Sequence, residues 1–142
     1  MKKLNCLIVI SVLLLVGCNV KNSEKEVGFA YTPEAGKSIL HGKIISQDDQ
    51  PQTEITVRLA KVYYGEGENG AFVLDEANSP STISEADGSF LFLNIEPGDY
   101  VIFIGKFHTK YKIVSEIDES PIVYEIELGE ILEIEPIIAD FN

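Results

Sequence analysis

Between residues 39 and 138 several short segments carry apolar side chains at every second position, and no stretch repeats at helical spacing. Ile55, Val57 and Leu59 alternate with Thr56, Arg58 and Ala60, which predicts a half-buried strand. Ile122, Tyr124, Ile126 and Leu128 alternate with Val123, Glu125 and Glu127 in the same way. Leu132, Ile134 and Ile138 alternate with Glu133, Glu135 and Ile137. Residues 89–95 and 100–104 are apolar on both faces. That pattern predicts central strands, covered on one side by an opposing sheet and on the other by a loop or partner. A short strand is expected at Phe72-Val73-Leu74, inside the otherwise irregular stretch 65–81.

Turn chemistry separates these segments. Asp87-Gly88 predicts a tight hairpin, because glycine accepts positive φ without steric cost. In Glu96-Pro97-Gly98-Asp99 the proline fixes φ and Gly98 takes the left-handed position of a type II turn. Gln47-Asp48-Asp49-Gln50-Pro51 predicts a third turn. Short strands at this spacing indicate an all-β sandwich or barrel. Gly129-Glu130 has the look of a two-residue hairpin, but that register mixes the core and solvent faces. A three-residue loop restores the faces and sets Glu127 against Glu133 and Glu125 against Glu135. Like charges directly opposite destabilise a pair, so either the two strands lie in different sheets, which is the expectation, or a cation lies between them.

The chain start follows another pattern. Lys2-Lys3 precede an unbroken apolar stretch over residues 4–16. This is the n-region and h-region of a secretory signal, shorter than the roughly 18 residues that cross a bilayer as a helix. Leu15-Val16-Gly17-Cys18 resembles the lipobox of bacterial lipoproteins. The resemblance implies a diacylglyceryl group on the Cys18 thiol and cleavage before it. Two or three acyl chains then anchor the product, since each buried methylene adds about 0.8 kcal/mol. Residues 19–38 are polar, aperiodic and punctuated by Gly28, Pro33 and Gly36. They read as a flexible tether with a root-mean-square reach of roughly 25 Å. Phe29 and Tyr31 are the exceptions, with order expected to begin near residue 28. The expected organisation is a signal peptide over 1–17, lipidated Cys18 and tether over 18–38, and one domain over 39–142.

Charge and cysteine usage narrow the chemistry. The formal net charge of −12 becomes −14 once Lys2 and Lys3 leave with the signal peptide. Such a surface repels phosphate backbones, which argues against nucleic acid as a partner. After Cys18 the chain has no cysteine, so a disulfide, a zinc–thiolate cluster and a thiol nucleophile are all excluded from the domain. His41 and His108 are the only histidines, and no nucleophile motif accompanies them. Each is expected to be a polar surface residue, and no catalytic residue is assigned. Asp48, Asp49, Glu85, Asp87 and Asp99 fall in turns, as local hydrogen-bond acceptors do, and no Asp-x-Asp-x-Asp-Gly calcium loop is present. Neither a metal nor a cofactor is expected. Tyr63, Tyr64, Phe72, Phe107 and Tyr111 are candidates for a binding face or for cross-strand packing. Tyr63 and Tyr64, beside the glycine-rich residues 65–70 and with Phe72 close by, form the candidate binding edge.

Together the turns carry a further resemblance. Gly42-Lys43-Ile44-Ile45, Asp48-Asp49-Gln50-Pro51 and Ile55-Thr56-Val57-Arg58-Leu59 resemble the opening of carboxypeptidase-regulatory-like domains. Ser84-Glu85-Ala86-Asp87-Gly88-Ser89-Phe90-Leu91-Phe92, followed by Asn94-Ile95-Glu96-Pro97-Gly98-Asp99-Tyr100-Val101, is similar to that family's central block. The closing Leu128-Gly129-Glu130-Ile131-Leu132 is similar too. The resemblance implies a prealbumin-like, transthyretin-like antiparallel sandwich of about seven strands in two sheets. It implies a non-catalytic appendage, with residues 61–81 as the variable loop. The expected function is therefore that of a monomeric cell-envelope lipoprotein on the extracytoplasmic face of a bacterial membrane. It presents a binding or adhesion module to an envelope protein or glycan. A structural spacer without a specific ligand is the alternative, and an accessory factor of a surface hydrolase or a small enzyme is a weaker one.

Overall fold

The computed structural model describes residues 31–66, 70–106 and 111–141, and every regular element among them is a strand. In chain order these are β1 (Ser38–Ile45), β2 (Thr56–Tyr64), β3 (Gly70–Val73), β4 (Ser81–Ile83), β5 (Ser89–Ile95), β6 (Gly98–Gly105), β7 (Lys112–Ile113), β8 (Val123–Ile126), β9 (Ile131–Glu133) and β10 (Ile137–Ile138). The expected signal peptide, Cys18, Phe29, Phe107 and His108 lie outside the described residues. Among the described residues no helix is long and apolar enough to cross a membrane.

The strands form two sheets. In the smaller, β1 lies between β5 and the pair β9 and β10; in the larger, β2 and β6 are central. β3 and β4 both pair with β2, and β7 and β8 both pair with β6. Counting each such broken line once leaves the seven strand lines of the expected sandwich. Two ladders are not antiparallel: β9 and β10 run parallel to β1.

Alternation fixes which side chains meet between the sheets. Ile55, Val57 and Leu59 from the β2 line, Ile102 and Ile104 from β6, Leu40 and Ile44 from β1, and Phe90 and Phe92 from β5 make the core. Burying each large apolar side chain contributes about 1.5–3 kcal/mol. With no cysteine after Cys18, this packing carries the stability of the sandwich.

Several expectations change in detail. β8 and β9 lie in different sheets, as the opposed glutamates required. The turn at Gly88 is tight: Gly88 N–H donates to Glu85 O at 2.9 Å and φ is 79°. Yet β4 pairs within the larger sheet and β5 within the smaller, so the turn links sheets and does not close a hairpin. Glu96-Pro97 likewise carries the chain from β5 to β6 across the sandwich. β6 is central, but β5 is an edge strand whose outward Leu93 is 46% exposed. Leu128 is exposed, and Ile137, not Ile138, enters the core. Pro136 explains the last change. Its missing N–H breaks the ladder between β9 and β10, and the alternation restarts one residue later.

Order on the N-terminal side reaches beyond the expected domain start at 39. Ser38 is fully buried, with its hydroxyl donating to Glu127 O at 2.5 Å. Glu34 N–H donates to Asn94 Oδ1 at 3.0 Å, and Lys37 pairs with Glu96 at 3.1 Å. The last residues of the expected tether are thus fastened to the link between β5 and β6.

Candidate functional site

Period two decides the fate of the candidate edge. Tyr63 continues the inward row of Leu59 and Lys61, whereas Tyr64 continues the outward row of Ala60 and Val62. Both rings are more than half exposed, but on opposite faces of the sheet. Phe72, paired with Val62, shares the outward face with Tyr64. The three residues therefore belong to two surfaces.

Tyr63 lines a cleft of about 570 Å³ at the end of the sandwich where β5 crosses to β6. Leu59, Pro80 and Ile95 are its apolar part, and Lys61, Asn94 and Glu96 supply polar groups. On one wall, Asp75 organises a turn: its carboxylate accepts from Ala77 N, Asn78 N and Asn78 Nδ2 at 2.9, 3.2 and 2.7 Å. Those bonds hold the Asp75 carboxyl below its usual range. On the other wall, Asn94 adopts φ 55°, uncommon for a non-glycine residue, and its Oδ1 is held by Glu34. Glu96 is held below the usual carboxylate range by its hydrogen bond and ion pair with Lys37 and by the nearby Lys61. The Tyr100 hydroxyl donates back to Glu96 O at 2.8 Å, fixing the turn between the strands. Neither Lys61 Nζ nor the Tyr63 hydroxyl has a hydrogen-bond partner among the described residues.

The outer face of the larger sheet is unusually apolar. Val62, Val101, Val123 and Phe72 line a shallow groove of about 460 Å³. Phe72 meets Phe103 edge-on, with centroids 5.9 Å apart. At one end the Tyr64 hydroxyl faces the Asp99 carboxylate, whose hydrogen bonding, with desolvation and the charges of Asp99 and Glu125, raises the Tyr64 pKa above its ordinary value. At the other end Arg58 Nε donates to the Tyr111 hydroxyl at 3.0 Å, so Tyr111 is part of the sheet surface and not of the cleft.

The remaining candidates are dispersed. His41 is half-buried in a depression of about 330 Å³ that also contains Glu85, Ser89 and Glu133. The Ser89 hydroxyl donates to Asp87 Oδ1 at 2.6 Å, which turns it towards the Gly88 turn. Lys43, across from it, reaches Asp87 at 3.7 Å. A wider opening of about 670 Å³, between β7 and β10, carries Lys112 bound to Asp140 O at 3.3 Å. Among the described residues no three His, Cys, Asp or Glu side chains gather to hold a metal ion. Asp48 and Asp49 sit in the turn between β1 and β2, where Asp49 takes φ 58° and Ser46 Oγ accepts from Asp48 N. The residues of the cleft that the sequence did not single out, Lys61, Asn94 and Glu96, follow a strand period or border a turn. Only their meeting at one end of the sandwich gives them a common role.

No family model matches the chain, and no curated protein matches it. Solved structures do. The major pilin subunit BcpA of Bacillus cereus is 20% identical over 70% of this chain and 29% of its own, with a TM-score of 0.43. A candidate carbohydrate binding protein of Pseudomonas aeruginosa is 15% identical over 75% of this chain and 92% of its own, with a TM-score of 0.45. A DUF3823 family protein of Bacteroides uniformis is 14% identical over 70% of this chain and 42% of its own, with a TM-score of 0.45. The chain thus spans less than a third of the pilin and less than half of the Bacteroides protein, but nearly all of the Pseudomonas one.

Proposed function

We propose that this chain is a lipid-tethered protein of the bacterial cell envelope whose prealbumin-like sandwich is a non-catalytic binding module. Its recognition surface is the cleft at Tyr63. Leu15-Val16-Gly17-Cys18 carries the anchoring half of the reading, at the end of an apolar run behind Lys2-Lys3. Lipid on Cys18 holds the module on the extracytoplasmic face. The cleft carries the binding half: an aromatic face on a rigid strand beside an ammonium with open donors and a fixed amide is a usual composition for a ligand site.

Membrane fractionation and mass spectrometry of the full chain test the anchor. Wild type is expected in the membrane fraction with a diacylglyceryl group on Cys18, and Cys18→Ala is expected to lose that mass. An unmodified, freely soluble wild-type product that still begins at Met1 overturns the anchoring. A second reading gives recognition to the outer face of the larger sheet, favoured by the exposed Val123 and Ile83 there. Binding lost in Val123→Lys and kept in Tyr63→Ala would favour it.

A further inference from the structure

The cleft at Tyr63 has a definite chemical character. Its polar groups are mixed in sign and in kind. Lys61 Nζ offers three donors and no acceptor. The Tyr63 hydroxyl can give or take a hydrogen bond. Asn94 Oδ1 is engaged by Glu34 N–H, so its free donors are on Nδ2. Glu96 Oε1 is engaged by Lys37, so its acceptor for a ligand is Oε2. Between these groups lies the ring of Tyr63, 57% exposed, with the apolar side of the cleft beneath.

From this arrangement we infer that the cleft is a saccharide site that takes a neutral pyranose, with one sugar face against the Tyr63 ring and hydroxyls shared among Lys61, Asn94 and Glu96. The inference rests on reading the sandwich as a binding module and names the ligand class of that same cleft. A sugar hydroxyl both gives and accepts hydrogen bonds, so it satisfies donors and acceptors that stand side by side. A carboxylate or phosphate only accepts at neutral pH, and here Lys61 alone would face it against the charges of Asp75 and Glu96, with Lys37 already engaged. An apolar ligand would strip water from Lys61 and Asn94 and return nothing. An extended peptide adding to β2 finds both edges taken, by β6 on one side and by β3 and β4 on the other. The volume of about 570 Å³ suits one or two sugar rings.

The site is also held in shape before any ligand arrives. Asn94 sits at φ 55°, a conformation maintained by its surroundings and here by the bond from Glu34. Tyr63 stands on a paired strand, opposite Ala71 of β3. Tyrosine has only two side-chain torsions to fix, so stacking on it sacrifices little entropy.

Calorimetric titration of the full chain in detergent tests the inference. The probes are maltose, cellobiose and N,N′-diacetylchitobiose as neutral sugars, digalacturonic acid as an acidic one, and a pentapeptide of alternating Lys and Leu. Binding of at least one neutral disaccharide is expected. Tyr63→Ala should weaken it about tenfold, which is the loss of roughly 1.4 kcal/mol. Lys61→Met should weaken it about fivefold, the scale of one lost hydrogen bond. Tyr64→Ala, on the opposite face, should leave it within about twofold, and thermal melts of all variants verify folding. Tyr63-dependent binding of the acidic sugar alone overturns the neutral ligand, that of the peptide alone overturns the saccharide class, and both spare the binding-module reading. A neutral sugar bound equally by Tyr63→Ala overturns the site. No binding of any probe at millimolar concentration overturns the saccharide site and leaves recognition to the outer face of the larger sheet.

Discussion

Gly88 lies directly against the carbonyl of Ile44. A Cβ on Gly88 would stand 2.5 Å from Ile44 O, and the Ile44 N–H donates to Gly88 O at 2.9 Å. The residue also holds φ 79°, where a side chain is strained. Gly88→Ala is therefore expected to destabilise by about 2–4 kcal/mol, combining backbone strain with displacement of β1. Urea unfolding followed by circular dichroism measures it. A loss under about 1 kcal/mol would show that the turn relaxes freely.

Ser84 ties the start of the β2 line to the segment before β5. It is 3% exposed, accepts from Ile55 N–H at 2.9 Å and donates to Gln52 O at 2.7 Å. Ser84→Ala leaves the buried Ile55 N–H without this acceptor. The expected cost is about 1–3 kcal/mol, and Ser84→Thr should recover part of it if the methyl fits. Chemical denaturation of the two variants side by side separates the hydrogen bond from the volume.

Stability should fall at both ends of the pH scale, for opposite reasons. The carboxyls of Asp75, Asp87, Asp118 and Glu96 sit below their ordinary values, chiefly through side-chain hydrogen bonds from Asn78, Ser89, Ser120 and Lys37. A depressed pKa in the fold stabilises above the unfolded value and is lost as pH falls through the folded one. The acid loss should thus set in below about pH 4. Burial raises the pKa of Tyr100 and Tyr124. A raised pKa stabilises below the unfolded value and is lost as pH rises through the folded one, so the alkaline loss should begin above about pH 10. Melting temperatures across this range check both limbs, and Tyr124→Phe should soften the alkaline one.

The apolar outer face predicts dye binding by the native protein. Val123 is 47% exposed beside Phe72 and Val101. Val123→Lys should change stability by no more than about 0.5 kcal/mol while reducing the fluorescence of a bound hydrophobic dye. Unchanged fluorescence would place the dye elsewhere.

Where the sequence spoke through physics that acts within a strand, it was readable. Ile55, Val57 and Leu59 announced their core face by period alone. Glu127 and Glu133 announced that β8 and β9 part company, because the one hairpin register that keeps the faces would set like charges opposite each other. Turns were legible only locally. Gly88 and Pro97-Gly98 do bend the chain, but nothing in four residues says whether the flanking strands pair or enter separate sheets. β5 had two apolar faces, which reads as central; in fact Leu91 and Leu93 lie on the outer face of an edge strand. Pro136 shifted the register of Ile137 and Ile138, a break that alternation on either side concealed. The cleft was half legible. Tyr63 stood out as an aromatic beside a glycine-rich loop, but Lys61, Asn94 and Glu96 meet it only through long-range packing.

The parallel course of β1 with β9 and β10 sets how the molecule resists being pulled. Ile39 to His41 pair with Ile131 to Glu133, and Ile44 and Ile45 with Ile137 and Ile138. Tension entering before Ser38 and leaving after Ile138 draws these neighbours past each other lengthwise. The cross-links are then strained together, as in a glued lap joint, and are not peeled open singly as in a zip.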